Sequence, residues 1–95
     1  MAKYEIVVDN QDSIVMSSPD TDIALVGCKA THNIYMYVPI KTHDVKIASY
    51  IAIDNEIVNG NYYMYAGCIV IELQDILPIT IKEARDNLLQ MLKEC

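Results

Sequence analysis

Apolar side chains recur at every second residue through most of this chain, and the spacing changes to three or four residues only near its end. The first pattern is typical of β-strands with one buried face, and the second of an amphipathic helix. Turn residues separate the apolar runs at short intervals, so the strands are brief. We therefore predict strands at residues 4–9, 13–17, 23–28, 34–38, 45–53, 56–58 and 61–73, followed by one helix at residues 80–94.

Two glycines indicate where the chain reverses in its second half. Asn59-Gly60 is a strong two-residue hairpin signal, so we expect residues 56–58 to pair with the start of 61–73. Gly67 interrupts the β-prone run at 61–73, which indicates a bulge or bend that splits one long strand in two. These features predict about seven short strands.

The final segment carries the signals of a helix. Residues 80–83 match a capping box, in which the Thr80 hydroxyl and the Glu83 carboxylate would bond amides of the first turn. Apolar residues then fall on one helix face at Ile81, Ala84, Leu88, Met91 and Cys95, with Leu92 beside them. A helix with one apolar face packs against a sheet. We predict a small antiparallel sandwich or a partly open barrel, capped by the helix.

Length and charge limit the domain organisation and the choice of partner. The 95 residues are 53% hydrophobic, which fits a single domain spanning residues 1–95. Thirteen acidic and seven basic residues give a net charge of −6. Such a chain has no basic field for phosphate binding, and three lysines within residues 23–50 would release few counterions. We expect no direct nucleic-acid partner.

Targeting segments and cysteines bear on the compartment. The chain begins without an apolar signal region, and its longest uncharged apolar run is too short for the roughly 20 residues of a membrane helix. Cys28, Cys68 and Cys95 are odd in number and widely spaced, which favours free thiols, although a Cys28–Cys68 bridge between two strands stays open. We expect a cytoplasmic location without a membrane partner, with a viral assembly as one setting.

Two weak groupings of reactive side chains occur. Cys28 and His32 lie four residues apart, with His43 further on, and could form a nucleophile pair or part of a zinc site. Asp54 and Glu56 share a strand face, as the ligands of a divalent cation would. Neither grouping matches a complete motif. We therefore predict no enzymatic activity, cofactor or metal, and keep a metal-dependent or Cys-His hydrolase as the least favoured class.

All seven aromatic residues are tyrosine, a side chain that combines a large apolar body with a polar tip. Tyr35 and Tyr37 share one face of a predicted strand, and Tyr63 and Tyr65 share one face of another. Both strands are apolar or amphipathic on both sides, whereas a two-layer domain covers only one side of each strand. The four tyrosines are therefore the predicted protein interface. The alternative is a solvated sheet face that uses tyrosine for its β-propensity alone.

Together these features favour a non-enzymatic β-rich module that binds other proteins as a structural or accessory subunit. We expect self-association into a homo-oligomer or binding to a different protein. The alternative function is a small acidic inhibitor of the phage anti-defence type, which occludes a nucleic-acid-binding partner. Its carboxylates would imitate phosphates and come from Asp9, Asp12, Asp20, Asp22 and the acids within residues 54–75.

Overall fold

The computed structural model describes residues 4–43, 45, 51–53 and 56–95. Six strands form one antiparallel sheet in the order β1-β2-β3-β4-β8-β7, and β5 pairs with β6 as a separate hairpin. The sheet is open at β1 and β7, so it is not closed into a barrel. The elements are β1 (Glu5–Asp9), β2 (Ser13–Ser17), β3 (Ala24–Cys28), β4 (Ile34–Pro39), β5 (Ile51–Ile53), β6 (Glu56–Val58), β7 (Tyr62–Tyr65), β8 (Cys68–Glu72) and α1 (Ile79–Lys93).

The prediction of a mainly β fold with one C-terminal helix is confirmed, and so is the open, helix-capped sheet. The first four predicted strands and the sixth match β1–β4 and β6 to within one residue at each end. Of the predicted strand at 45–53, the part at Ile51–Ile53 is observed as β5, whereas residues 46–50 lie outside the described residues.

The hydrophobic core lies between the sheet and α1. Buried and half-buried residues alternate along β2, β3 and β4, and α1 packs against these three strands. We call the face that α1 covers the inner face and the opposite one the outer face. Val58 of β6 joins the same core. The helix contributes its predicted apolar face at Ile81, Ala84, Leu88 and Leu92, whereas Met91 is half-buried and Cys95 exposed.

The predicted hairpin at Asn59-Gly60 is wrong. The strand before these residues, β6, pairs with β5, and the strand after them, β7, pairs with β8. Glycine at position 60 instead allows the backbone to pack closely against that of Glu72, because a Cβ there would lie 2.4 Å from the Glu72 carbonyl oxygen. The tight reversal is at Ala66 and Gly67, whose φ angles of 50° and 79° suit a two-residue turn. Gly67 therefore marks a complete hairpin rather than a bulge or bend.

The predicted capping box is also wrong. Helix α1 begins at Ile79 with Pro78 as its N-cap, and no side chain caps it. The Pro78 carbonyl accepts the amide of Lys82 at 2.8 Å, which places Thr80 inside the first turn. The Thr80 hydroxyl donates to the carboxylate of Glu56 on β6. The Thr80 hydroxyl therefore forms a tertiary hydrogen bond in place of the local capping bond.

All three cysteines are free thiols, so the bridge left open between Cys28 and Cys68 is not formed. These residues lie on β3 and β8, and β4 separates the two strands. Two strand spacings of about 4.8 Å each exceed the roughly 7 Å limit between the Cα atoms of a disulfide. Within the described ranges, we also find no helix that is long and apolar enough to cross a membrane.

Candidate protein interface

The four tyrosines of the predicted interface lie together on the outer face. Strand β8 runs between β4 and β7, and its Val70 lies opposite Tyr37 on one side and Tyr63 on the other. Residues directly opposite each other in an antiparallel pair project to the same face. Tyr35 and Tyr65 follow at two-residue spacing, so they share that face. The strand order thus brings together two pairs of side chains that are far apart in sequence.

The rings differ in how deeply they are buried. Tyr35 and Tyr37 are half-buried, whereas Tyr63 and Tyr65 have 51% and 61% of their surface exposed. Val70 is fully buried although it faces away from α1, because tyrosines flank it on both neighbouring strands. The rings therefore form a layer over β8 and still present area to solvent.

Burial alters the chemistry of one phenol. The pKa of Tyr37 is raised, first by loss of hydration and then by its charge interaction and hydrogen bond with Tyr63. Tyr37 on β4 and Tyr63 on β7 thus influence each other across β8. The neutral phenol of Tyr37 is favoured over its phenolate.

The outer face carries very little charge. Among the described strand residues, Glu5 and Glu72 are the only charged side chains on this face, and its other positions are valine, tyrosine, alanine, cysteine, serine or proline. Antiparallel sheets that face water usually alternate apolar and polar residues. The row from Val8 through Val15 and Val26 to Tyr35 instead runs apolar across four strands. Its composition resembles the core of a protein interface.

Only part of the predicted thiol–imidazole grouping stays together in the structure, where the His32 amide donates to the Cys28 carbonyl at 2.8 Å. Cys28 has a lowered pKa because the Thr31 side chain and the backbone amides of Thr31 and Ala30 hydrogen-bond to its sulfur. His43 lies elsewhere, with Nε2 2.6 Å from Oδ1 of Asp22. In the part of the chain that is described, no three His, Cys, Asp or Glu side chains are grouped so that they could hold a metal ion.

Of the acidic pair proposed at Asp54 and Glu56, the structure describes only Glu56. Asp54 lies outside the described residues. Glu56 accepts the Thr80 hydroxyl at 3.0 Å, so its carboxylate has a structural partner within the fold.

Several other carboxylates face cations or hydrogen-bond donors. Asp9 pairs with Lys29 at 2.7 Å, and Asp75 pairs with Arg85 at 2.9 Å. Asp22 accepts hydrogen bonds from Thr42 and His43, which lower its pKa. These acids therefore contribute less unbalanced negative charge than the sequence suggests.

Sequence reasoning assigned each tyrosine pair to a strand face but missed Val70 and the apolar valine row. The available signal was the two-residue period of side-chain direction along β2, β3 and β8. This period places Val15, Val26 and Val70 on the sheet face opposite to that of the core residues. Comparison of the chain with protein-family models, with curated proteins and with solved structures finds no match. The support for the candidate interface is therefore its geometry alone.

Proposed function

We propose that this chain is a non-enzymatic assembly module whose outer face binds another protein. The observation that carries the proposal is a sheet face that no described helix or strand covers, with four tyrosines, an apolar valine row and only two charged side chains among its described strand residues. Tyrosine is favoured at such surfaces because the ring supplies apolar area and the hydroxyl finds a polar partner. The expected partner has a flat apolar surface with hydrogen-bonding groups for the phenols.

Electrostatics add a second feature of this partner. The chain has a net charge of −6, and the two charges on the outer face are both carboxylates, Glu5 and Glu72. A neutral or basic border around the partner's apolar surface would match this charge. The free thiols support a cytoplasmic location, where a viral assembly is one setting for such a subunit.

The acidic-inhibitor alternative has weaker support. Phosphate mimicry requires carboxylates that project together without internal cations. Asp9, Asp22 and Asp75, three acids on which that alternative relied, contact Lys29, His43 and Arg85, respectively. Partner binding that weakens steeply with salt, and that is lost in Asp20→Asn/Asp22→Asn, would favour the inhibitor instead.

Site-specific photo-crosslinking in cells that express this protein tests the proposed interface. A photoreactive phenylalanine analogue is placed at Tyr35 or Tyr65 and, as matched controls, at Ile76 or Ile79. The control side chains are 83% and 70% exposed, but Ile76 precedes α1 and Ile79 is its first residue. We expect discrete crosslinked species from the outer-face positions only.

The double variant Tyr35→Ser/Tyr37→Ser should remove the crosslinks from Tyr65 to another protein if its fold is retained, as circular dichroism can establish. Crosslinks of equal yield from the control positions, or an unchanged pattern in the folded double variant, would refute binding through the outer face.

A further inference from the structure

The sheet has two edges, and they differ in how well they are protected from pairing with another chain. Among the described strands, β1 and β7 each have a sheet neighbour on one side only. Such edges present backbone donors and acceptors to solvent, and proteins usually block them with charges, prolines or bulges. A comparison of the two edges shows which one can take another strand.

Edge strand β1 carries two of these protective features. Its register with β2 shifts between Ile6 and Val8, so the strand is irregular at that point. It also has a carboxylate at each end, Glu5 and Asp9. If two β1 strands paired antiparallel about Val7, Glu5 would lie opposite Asp9 of the second copy. The repulsion between these carboxylates would be offset only in part by Lys29, which contacts Asp9.

Edge strand β7 carries neither feature. Its residues, Tyr62–Tyr65, include no charge and no proline, and its register with β8 is regular throughout. Tyr63, Met64 and Tyr65 are all more than half exposed. The unprotected edge thus also bears the most exposed part of the outer-face tyrosines.

The β7–β8 hairpin fixes the direction of the backbone groups on this edge. Tyr65 and Cys68 flank the two-residue turn, so the amide and carbonyl of Tyr65 face β8. The amide and carbonyl of Tyr63, two positions earlier, face β8 as well. Two residues further back, the Asn61 carbonyl accepts the Glu72 amide at 2.9 Å, which agrees with this alternation. The Met64 amide and carbonyl therefore point away from the sheet, where a further strand would lie.

We propose that β7 pairs antiparallel with β7 of a second copy of this chain, about a two-fold axis at Met64. The two Met64 residues would then exchange both backbone hydrogen bonds, and Tyr63 would lie opposite Tyr65 of the second copy. Both tyrosines would remain on the outer face, because opposite residues in an antiparallel pair share a face. The two six-stranded sheets would join into one.

A second copy is the occupant because the edge is complementary to itself. The two-fold places tyrosine opposite tyrosine and methionine opposite methionine, both favourable cross-strand neighbours. Each copy carries a net charge of −6, and β7 offers a segment without formal charge through which two such chains can approach. The pairing uses the backbone of β7, so it goes beyond the binding of another protein by the side chains of the outer face.

The size of the contact sets the expected affinity. Pairing of four-residue strands buries less than the roughly 1,200 Å² of a standard interface. The dimer is accordingly weak, and its population rises with protein concentration.

Sedimentation velocity from about 1 µM to about 1 mM measures this equilibrium. Met64→Pro removes the amide that would bond the second copy, and proline is tolerated on an edge strand where that amide faces solvent. Met64→Val keeps the amide and serves as the matched control. We expect Met64→Val to dimerise as the parent chain does, and Met64→Pro to dimerise about tenfold more weakly or not at all.

A second variant covers the case in which Met64→Pro does not fold. Met64→Lys retains the backbone groups and places two ammonium groups face to face at the two-fold axis, so it should also abolish the dimer. A parent chain that stays monomeric at the highest concentration would overturn the inference, as would a folded Met64→Pro or Met64→Lys that dimerises like Met64→Val.

The outer-face variant separates this inference from the proposed function. Tyr35→Ser/Tyr37→Ser leaves the β7 edge intact, so it should retain the dimer while losing its crosslinks to another protein. Loss of the dimer in this variant but not in Met64→Pro would instead assign self-association to the outer face and refute pairing through β7.

Discussion

The Thr80 hydroxyl, in the first turn of α1, donates to the carboxylate of Glu56 on β6, with its oxygen 3.0 Å from Oε2. The bond connects the helix with the β5–β6 hairpin, whose Val58 is buried in the common core. The first turn of α1 contains no acidic residue of its own. Glu56 therefore supplies the negative charge that a helix N-terminus favours, and it does so from a different element.

Removal of this hydroxyl should destabilise the fold measurably. Thr80→Val keeps the shape of the side chain but leaves the partly buried Glu56 carboxylate without its donor, so we expect the free energy of unfolding to fall by about 1–2 kcal/mol. Urea denaturation measures the change. Glu83→Gln is the control, because a capping box would require Glu83 whereas the observed helix start does not, and it should stay within about 0.5 kcal/mol. A larger loss in Glu83→Gln than in Thr80→Val would contradict this assignment.

The helix should prove essential to the core. Leu88 is fully buried where α1 faces the sheet. Leu88→Ala should lower the free energy of unfolding by about 2–5 kcal/mol, and Leu88→Asp should lower it further because a charge would be buried without a partner. Asn87→Asp introduces the same carboxylate at the adjacent exposed position and should have little effect. Thermal and urea unfolding would contradict this prediction if Leu88→Ala were as stable as the parent chain.

The strands and the helix could be predicted because their signals are local. Alternation along β2 and the three- and four-residue spacing after Pro78 depend on near neighbours in the sequence. The interpretation of Asn59-Gly60 failed because Gly60 is required by its approach to the backbone of Glu72, a residue on another strand. The capping box failed for the same kind of reason, since the Thr80 hydroxyl has a distant partner.

The candidate interface was predictable only in part. Two-residue spacing placed Tyr35 with Tyr37 and Tyr63 with Tyr65, but it could not give the strand order. That order inserts β8 between β4 and β7, and it explains why all four rings meet around Val70. Strand order depends on contacts between distant segments, which the periodicity of one segment does not contain.

Asp22 should make stability depend on pH in the acidic range. Hydrogen bonds from Thr42 and His43 lower its pKa below the ordinary value of 3.8. A carboxylate with a lowered pKa in the folded state stabilises the protein fully above its unfolded pKa, and this contribution disappears as the pH falls through the folded value. The advantage of the parent chain over Asp22→Asn should thus be constant above about pH 5 and shrink below about pH 4.

Urea denaturation over a series of pH values measures this difference. Asp20→Asn removes a carboxylate from the same turn, but not the one that Thr42 and His43 contact, and it should retain the parent chain's acid dependence. A difference between the parent chain and Asp22→Asn that does not change with pH would contradict the role given to these hydrogen bonds.

The buried phenol on the outer face should be detectable by titration. Burial, followed by the interactions with Tyr63, raises the pKa of Tyr37 above its ordinary value of 10.0. Its contribution to stability is therefore fully present below that value and is lost as the pH rises through the folded pKa. In ultraviolet absorbance, Tyr37 should ionise above the ordinary value of 10.0, and Tyr37→Phe should remove this late step.

Tyr65→Phe is the matched control for this titration, because it removes the titrating hydroxyl from a side chain that is 61% exposed on the same face. The late step should persist in Tyr65→Phe. Its persistence in Tyr37→Phe would show that a different tyrosine is the sheltered one, and the ring layer over Val70 would then differ from the one described. Binding of a protein to the outer face should delay the Tyr37 step further, because coverage removes more water from the same phenol.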